Sequence, residues 1–377
     1  MNGMFAFAYW NQQNETLFIA RDRVGKKPLY YTMHDGKFAF SSEIKALLTL
    51  PWVKAIQDQE ALYHFLTYNQ LPAPLTMFEG IHKLDAGECM TIHKGHIKIE
   101  THWRIEPQNF ENKSEKEISE ELFQQLQKSV NYRMVGDVPV GAFLSGGVDS
   151  SAVVALMRAQ SNSTIKTFSV GFEGQSNYDE RVYADKVAKM FNTEHFEKNI
   201  QPEDISNSLS LIIESFDEPM ADATCIPIYF ISQLARENGT IVVQTGDGAD
   251  ELFSGYRAWM KYQKIYPWYH LYNKFPLTIK KGMANIINET NDEASAIREI
   301  FSRAAHGQEL FWGGAKAFKE STKRSFLTST YLKDIGDANS YSIIQKYKRD
   351  FIKLKEKYPW LTDTDWMCYL GLRFQIL

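Results

Sequence analysis

The pattern of hydrophobic and polar positions divides the chain into a strand-rich first part and a second part in which strands and helices alternate. In the first part, short runs of aromatic and β-branched residues are separated by polar turns, as expected for antiparallel strands. The Asp35-Gly36 pair suits a tight hairpin between two of these runs. The runs predict strands at 4–10, 16–21, 28–33 and 37–40, helices at 43–50 and 57–67, and further short strands between 71 and 104.

The second part follows a polar stretch, 106–117, which has few apolar residues and predicts a linker. After it, apolar runs of strand length alternate with segments of helix length. Such alternation indicates a parallel sheet covered by helices on both faces. Beyond residue 256 the chain is rich in aromatic residues, and we predict a helical end. The predicted order is helix 118–134, strand 138–144, helix 150–160, strand 167–172, helix 179–190, strand 194–198, helices 203–215 and 226–237, and strand 240–244.

Composition narrows the class of protein. The net charge is −4, since 42 Lys and Arg stand against 46 Asp and Glu, and this gives no sign of a nucleic-acid partner. The three cysteines are far apart and predict neither a disulfide framework nor a zinc site, so a reducing compartment fits best. No signal peptide and no apolar run long enough to span a bilayer is evident. We therefore predict a cytoplasmic protein with no membrane partner and no nucleic-acid partner.

The sharpest feature is a glycine turn between a predicted buried strand and a predicted helix. Gly146 and Gly147 let the backbone bend with nothing projecting into the concavity, so amide N–H groups and the helix dipole point at one spot. Asp149 would repel a bare phosphate, which argues for a Mg²⁺ between its carboxylate and a pyrophosphate. The alternative is an ordinary strand–turn–helix connection with Ser150 as the N-cap. The turn, in which the serines add hydroxyl donors, reads Phe143-Leu144-Ser145-Gly146-Gly147-Val148-Asp149-Ser150-Ser151.

This turn resembles the SGGxDS pyrophosphate loop of the N-type ATP pyrophosphatases, and further segments resemble the asparagine synthetases of that superfamily. Residues 244–256 look like the SGDGGDELFGGY signature, and 216–222 look like the DEPxAD segment. Three segments near the start, 2–8, 20–31 and 40–47, look like the second half of the family's glutaminase domain.

The resemblance implies an α/β fold with two domains. At 106–377 it implies a parallel-sheet synthetase domain of the adenine nucleotide α-hydrolase (PP-loop) type, helical beyond about 257. At 1–105 it implies the C-terminal part of a strand-rich class II, Ntn-type glutaminase domain that lacks the nucleophile.

The resemblance also implies roles for individual residues. Asp247 stands where the family has an acidic residue important for forming β-aspartyl-AMP, and Asp149 and Asp250 are the implied ligands of Mg²⁺ and pyrophosphate. The alternative for Asp247 and Asp250 is a solvated acidic turn that caps the next helix. The Asp-Glu-Pro run at 217–219 is equally compatible with a helix end that carries no chemistry. By the resemblance, the backbone of Val170 borders the adenine, with Phe143 or Leu144 beside it. The implied ATP-binding residues are Phe143, Leu144, Ser145, Gly146, Gly147, Asp149, Ser150, Ser151, Val170, Thr245 and Gly246.

The chain also departs from the family pattern. Asn2, not a cysteine, follows Met1, and the first cysteine is Cys89, so we predict no glutaminase activity from this chain. We expect that the chain begins inside the glutaminase domain and ends before the family's Arg-x-Asp-Lys segment. Smaller departures are Thr245 for Ser, Ala249 for Gly and Ser254 for Gly.

The predicted function is the ATP-dependent amidation of aspartate through β-aspartyl-AMP, which yields asparagine, AMP and pyrophosphate. The implied substrates are aspartate, ATP and ammonia, with glutamine as the nitrogen source in a complete family enzyme. Two alternatives stay open: an amidotransferase acting on another carboxylate, such as a sugar acid or a β-lactam precursor, and a nucleotide-binding fragment without catalysis. The sequence leaves a homodimer open as well.

Overall fold

The computed structural model describes residues 1–110, 112–174, 179–290, 296–313 and 317–374. They form two compact units. The first unit comprises Met1–Pro107, Asp217–Pro219 and Asp250–Leu377, and the second unit comprises Gln108–Phe216 and Met220–Ala249. No helix among the described residues combines the length and the apolar character that crossing a membrane requires. The division of the chain into domains at about residue 105 stays a prediction.

The first unit opens with two antiparallel sheets. Asp35 and Gly36 have φ angles of 49° and 73°, as the predicted tight hairpin requires. The predicted strands are confirmed as β1 (Ala6–Asn11), β2 (Thr16–Arg21), β3 (Tyr30–His34), β4 (Lys37–Ser41), β5 (Ile81–Lys83), β6 (Glu88–His93) and β7 (His96–Thr101). One sheet has the order β1-β2-β6-β7 and the other the order β4-β3-β5.

Two helices lie between β4 and β5, namely α1 (Ile44–Leu47) and α2 (Gln59–Tyr68). The predicted helix 43–50 is wrong at both ends. Glu43 is extended, with φ −132° and ψ 138°, and therefore precedes the helix. The N–H groups of Thr49 and Leu50 bond to carbonyls three residues back, so the chain tightens into single turns before Pro51.

The second unit is built on a parallel sheet with helices on both faces, as predicted. Ala142 and Leu144 pack with one group of helices, whereas Phe143 between them packs with Ile231 on the opposite face. Its elements are α3 (Glu115–Met134), β8 (Val140–Phe143), α4 (Val148–Gln160), β9 (Lys166–Phe172), α5 (Arg181–Phe191), β10 (Glu194–Ile200), α6 (Pro202–Ser215), α7 (Cys225–Glu237) and β11 (Val242–Gln244).

The predicted linker 106–117 is too long at its C-terminal end. Ser114 is the N-cap of α3, and its side chain accepts a hydrogen bond from the N–H of Glu117. The Glu117 carboxylate accepts in return from the Ser114 N–H at 2.8 Å, which completes a capping box. Helix formation therefore begins within the polar stretch, because polar residues supply the cap.

The strand order of this sheet identifies where a ligand belongs. The order is β10-β9-β8-β11, so the chain leaves β8 toward β9 on one side and returns to β11 on the other. In parallel α/β sheets, ligands bind outside the carboxyl ends of the strands at such a reversal of strand order. The loops that follow β8 and β11 meet this condition.

The C-terminal part of the first unit is helical, as predicted. Its core is unusually aromatic, and Trp259, Phe311, Trp366 and Phe374 are all buried in it. The helices are α8 (Ala249–Phe253), whose first residue belongs to the second unit, α9 (Arg257–Asn273), α10 (Leu277–Thr290), α11 (Ala296–Ala305), α12 (Glu320–Phe326), α13 (Ser329–Ile335), α14 (Tyr341–Lys357) and α15 (Asp363–Phe374).

Candidate functional site

The turn between β8 and α4 has a shape that only glycine allows. Gly146 has a φ angle of +81°, and a Cβ atom placed on it would lie 2.5 Å from the Cβ atom of Tyr183 and 2.6 Å from the N atom of Ala184. Helix α4 begins at Val148 with Gly147 as its N-cap. The alternative in which Ser150 is the N-cap is therefore wrong.

Two of the three serines in this turn hold its shape. The Ser150 hydroxyl lies 3.3 Å from the Gly147 carbonyl, to which it donates, and 3.0 Å from the Ser145 hydroxyl. The N–H of Gly147 donates to Ser145 Oγ at 3.2 Å. Ser151 Oγ is buried and has no partner within the described part of the chain. The hydroxyls of Ser145 and Ser150 thus fix the backbone and leave the first amides of α4, which lack intrahelical acceptors, at the open end of the turn.

The bend after β11 lies directly against this turn. A Cβ atom on Gly246 would be 3.0 Å from Asp149 Cβ and 3.1 Å from the N atom of Ser150. Glycine at 246 is therefore what lets the two loops approach. The hydroxyl of Thr245 donates to Asp247 Oδ2 at 2.8 Å, and Asp247 remains exposed. Two loops from neighbouring strands, each with a carboxylate, meet at the carboxyl edge of the sheet.

Asp250 lies in α8, three residues after Asp247 in the chain, and belongs to the first unit. The Asp250 carbonyl accepts a hydrogen bond from Gly255 N–H at 3.0 Å. Any side chain at 255 would overlap the Asp250 carboxylate, so Gly255 makes room for it. Two residues near Asp250 stand where the family has glycine, namely Ala249 and Ser254. Ser254 has a φ angle of +57°, whereas Ala249 has no positive φ angle and is the first residue of α8.

The residues predicted to border a nucleotide base lie on the strands of the same sheet. Phe143 and Val170 pack against one cluster with Phe168, on the same face. Leu144 is only 1 % exposed and belongs to the opposite face, so its side chain is part of the core. Its backbone is held on both sides, because Leu144 N–H donates to Phe168 O at 2.9 Å and the Ser169 hydroxyl donates to Leu144 O.

One charged pair at this edge was not anticipated from the sequence. The Arg181 guanidinium lies against the backbone of Gly171 and is bidentate to Asp179, with Nε to Oδ1 at 2.8 Å and Nη2 to Oδ2 at 2.6 Å. This hydrogen-bonded fork lowers the pKa of Asp179 to about 2. Gly171 inside a strand was the available signal, because a glycine there often marks a close approach. Tyr183, in the same helix α5, lies against Gly146.

The acidic residues of the Asp-Glu-Pro run have structural partners in the first unit. Asp217 Oδ2 accepts from Ile44 N–H at 2.6 Å, and this carboxylate lies at the start of α1. Glu218 accepts from Met77 N–H at 2.7 Å and forms an ion pair with Lys83 at 2.7 Å. Burial lowers the pKa of Lys83, and Glu218 opposes that effect. These carboxylates therefore accept hydrogen bonds and ion-pair contacts that stabilise the fold.

The carboxylates at the two loops suit a Mg²⁺ ion that would bind together with the phosphates of a substrate. Among the described residues, no three or more His, Cys, Asp or Glu side chains form a group that could hold a metal. Mg²⁺ is commonly bound by one or two carboxylates together with substrate phosphates, and such an arrangement requires no cage of protein ligands. Asp149, exposed beside the first turn of α4, is a donor of this kind.

Comparison with known proteins agrees with this geometry. The asparagine synthase family model matches residues 121–369, and a glutamine amidotransferase domain model matches residues 1–103. The chain is 34 % identical over 363 residues to asparagine synthetase [glutamine-hydrolyzing] 1 of Bacillus subtilis, covering 92 % of this chain and 55 % of that protein. It is 35 % identical over 260 residues to the putative asparagine synthetase [glutamine-hydrolyzing] 2 of Methanocaldococcus jannaschii, covering 68 % of this chain and 50 % of that protein.

The chain therefore spans about half the length of the curated relatives it matches. Among solved structures, NH3-dependent NAD synthetase from Campylobacter jejuni aligns with a TM-score of 0.26 and 15 % identity, over 52 % of this chain and 95 % of that one, which is too weak to carry an argument. The family model, in contrast, covers most of the chain, including both loops of the site. The chain belongs to the asparagine synthase family.

Proposed function

We propose that this chain carries out the ATP-dependent amidation of aspartate, with β-aspartyl-AMP as the intermediate. The observation that supports the proposal most is the contact of the two loops, in which Gly246 lies against Asp149 and Ser150 at the reversal of strand order. The reaction is proposed because the chain belongs to the family, and the contact between the two loops indicates where in the chain the reaction would occur. A site of this kind binds the outer phosphates of a nucleotide through backbone amides at a helix N-terminus.

Each candidate residue has a role in the proposal. The amides of the glycine turn hold the pyrophosphate portion, and Val170 and Phe143 border the adenine. By the family resemblance, Asp149 and Asp250 would hold a Mg²⁺ ion, which would offset the negative charge of the phosphates. Asp247 acts near the aspartyl group. The chain's contribution is positioning and charge stabilisation, because the bonds change within the substrates: a phosphoanhydride bond of ATP is replaced by the acyl–phosphate anhydride bond of the intermediate, which is then replaced by the amide bond.

The proposed reaction has two steps. An oxygen of the aspartate β-carboxylate attacks the α-phosphorus of ATP, and the bond to the pyrophosphate oxygen breaks. Ammonia then attacks the acyl carbon, a proton leaves the nitrogen, and the bond to the AMP oxygen breaks. The products are asparagine, AMP and pyrophosphate.

Ammonia is the nucleophile of the second step of the proposed reaction. Cys89 lies in β6 within the region that matches the glutamine amidotransferase domain. Burial, and then the nearby carboxylates of Glu100 and Glu88, raise the pKa of its thiol. A raised pKa disfavours the thiolate that a glutaminase nucleophile requires. The homodimer and the cytoplasmic location also remain predictions.

The test is product analysis with the purified chain, ATP, Mg²⁺, aspartate and an ammonium salt. AMP and pyrophosphate in equal amounts, together with asparagine, are expected. ADP and phosphate would contradict adenylation, and ATP binding without any AMP would favour a non-catalytic chain. Glutamine in place of ammonium tests separately whether the same preparation releases ammonia from glutamine. A panel of other carboxylic acids in the same pyrophosphate assay identifies the acceptor.

A further inference from the structure

The hydrogen-bond ladder between β8 and β9 is interrupted at the point where β8 ends. The last bond of the regular pattern runs from Leu144 N–H to Phe168 O at 2.9 Å. The next bond of a parallel ladder would run from Val170 N–H to Leu144 O, and no such backbone bond is present among the described residues. The Leu144 carbonyl accepts from the Ser169 hydroxyl instead. A side chain of β9 thus takes the place of a backbone amide of the same strand.

This exchange of donors affects the amide that the proposed function places beside the adenine. Val170 is half-buried at the carboxyl edge of the sheet, and β8 ends at Phe143, so no further residue of that strand pairs with it. A backbone N–H at such a position is costly to leave without an acceptor. The acceptor at this edge is therefore expected to come from a ligand.

The Ser169 hydroxyl is oriented by a histidine on the adjacent strand, β10. His195 Nε2 lies 3.3 Å from Ser169 Oγ and 3.1 Å from Glu197 Oε1. On the other side of the ring, Nδ1 lies 2.8 Å from Thr167 Oγ1, which is 2.9 Å from Thr193 Oγ1. The side chain of His195 is only 10 % exposed, so these contacts hold it within the sheet layer.

The chemistry of these partners fixes the direction of each hydrogen bond. A carbonyl oxygen only accepts, so the single hydroxyl proton of Ser169 is used on Leu144. Ser169 Oγ therefore accepts from His195, whose ring proton is on Nε2, where the Glu197 carboxylate accepts as well. Nδ1 then accepts from the Thr167 hydroxyl. This single tautomer of His195 satisfies every contact and directs Ser169 toward Leu144.

We propose that Ser169, with His195 as its orienting partner, is a positioning residue that sets the preference of the nucleotide site for adenine. By holding the Leu144 carbonyl, Ser169 leaves the Val170 N–H available to an acceptor on the base. Adenine has an unprotonated ring nitrogen, N1, on its pairing edge, whereas N1 of guanine carries a proton and cannot accept. A donor that one ligand satisfies and another leaves unpaired is a strong source of selectivity. The inference rests on the proposed function, because that function places the base beside Val170.

The experiment is calorimetric titration of ATP and, separately, GTP with Mg²⁺ into the full chain and its variants, without aspartate. In Ser169→Ala the Leu144 carbonyl loses its donor, and we expect Val170 N–H to complete the ladder in its place. The affinity for ATP should then fall about tenfold, the effect of one hydrogen bond, whereas the affinity for GTP should not change. Ser206→Ala removes an exposed hydroxyl of α6 and is the matched control, which should keep the ratio of the unaltered chain.

His195 is tested by two substitutions that differ in the donor they offer. The side-chain amide nitrogen of Gln can occupy the position of Nε2 and donate to Ser169, whereas Leu fills similar space without a donor. We expect His195→Leu to lose the preference for ATP as Ser169→Ala does, and His195→Gln to retain most of it, with folding verified by circular dichroism. A merely structural role of His195 would instead weaken the binding of both nucleotides equally.

Two results would overturn the inference. One is the same ratio of ATP to GTP affinity in the unaltered chain, Ser169→Ala and His195→Leu. The other is a His195 Nε2 without a proton in nitrogen NMR of the histidine-labelled chain, where His195→Gln identifies the signal by its loss; a proton on Nε2 supports the inference. Neither measurement requires turnover. A chain that prefers ATP without forming AMP would therefore contradict the proposed function alone.

Discussion

Two acidic segments of this chain have similar compositions and opposite environments. In the Asp-Glu-Pro run at 217–219, Asp217 and Glu218 accept hydrogen bonds from the backbone of Ile44 and Met77, and Glu218 also pairs with Lys83. In the bend after β11, Asp247 is exposed and, among the residues that the structure describes, accepts a side-chain hydrogen bond from its neighbour Thr245 alone. A carboxylate that stabilises a fold uses its lone pairs on protein donors, whereas one that serves chemistry keeps them available to a substrate.

The largest expected effect concerns Asp149 and Asp250, the two carboxylates that the proposal assigns to Mg²⁺. Asp149→Asn and Asp250→Asn should each reduce the rate of pyrophosphate release by about 10²–10³-fold, since each removes a carboxylate that would hold the Mg²⁺ ion, and the positive charge of that ion would stabilise the reacting phosphates. The midpoint of urea unfolding should change little, because an Asn side chain fits the same space. Chelation of Mg²⁺ with EDTA should stop turnover of the unaltered chain as well.

Asp185→Asn is the control for that experiment. Asp185 forms an exposed ion pair with Lys189 on α5, and such pairs contribute little. We expect its pyrophosphate release to match that of the unaltered chain. Full activity in Asp149→Asn or Asp250→Asn would show that these carboxylates are not part of the chemistry. For Asp250, which follows the bend after β11, it would also remove the contrast with the Asp-Glu-Pro run.

The second prediction concerns the engaged carboxylates. Glu218→Ala should lower the free energy of unfolding by about 3 kcal/mol, because it leaves the mostly buried ammonium of Lys83 without its partner. Turnover per folded molecule should stay within a factor of two. The measurements are urea unfolding and active-enzyme titration on the same preparation. A large loss of turnover at unchanged stability would place Glu218 among the catalytic groups instead.

This destabilisation should depend on pH in a definite direction. Burial already lowers the pKa of Lys83 below its ordinary 10.5, and loss of Glu218 lowers it further. Between the folded pKa and 10.5 the unfolded state then binds more protons than the folded state, so stability rises with pH. The difference between Glu218→Ala and the unaltered chain should therefore shrink as the pH is raised toward 10.5. A difference that does not change with pH would exclude Lys83 as the cause.

The third prediction addresses the contact between the two loops. Gly246→Ala places a methyl group 3.0 Å from Asp149 Cβ, so the loops must separate by a few tenths of an ångström. We expect a destabilisation of about 1–3 kcal/mol, typical of overpacking, with a higher KM for ATP. Gly282→Ala is the control, because nothing lies within 4 Å of the added methyl group in α10. An unchanged KM in Gly246→Ala would show that the loop contact does not shape the nucleotide site.

Much of the fold was readable from the sequence, since strand and helix periodicity is local. The strand–turn–helix at 143–151 was predicted because Gly146 and Gly147 restrict what the backbone can do there. The role of Asp217 was not readable, since its acceptor contact joins residues that are 173 positions apart. The same holds for the Arg181 guanidinium, which is placed by tertiary packing against Gly171.

Face assignment within the site shows the same limit. The sequence left Phe143 and Leu144 as equal candidates beside the adenine, because both are apolar and adjacent at the end of β8. The structure separates them: Phe143 shares a face with Val170, and Leu144 is buried on the other face. Strand alternation requires that neighbours point to opposite faces, but only packed helices decide which face is which.

The smallest expected effect concerns Ala249 and Ser254, the two residues near Asp250 that stand where the family has glycine. Ser254 has a φ angle of +57°, where an L-residue is strained by about 1–2 kcal/mol, whereas Ala249 is the first residue of α8. Ser254→Gly should therefore raise the free energy of unfolding by about 0.5–1 kcal/mol, since relief of strain exceeds the added entropy of the unfolded chain. Ala249→Gly should lower it by about 0.5–1 kcal/mol, because glycine weakens a helix. The measurement is urea unfolding of both variants, and each variant serves as the control for the other. A change of the free energy of unfolding in the same direction for both substitutions would show that backbone conformation at this acidic bend does not determine stability.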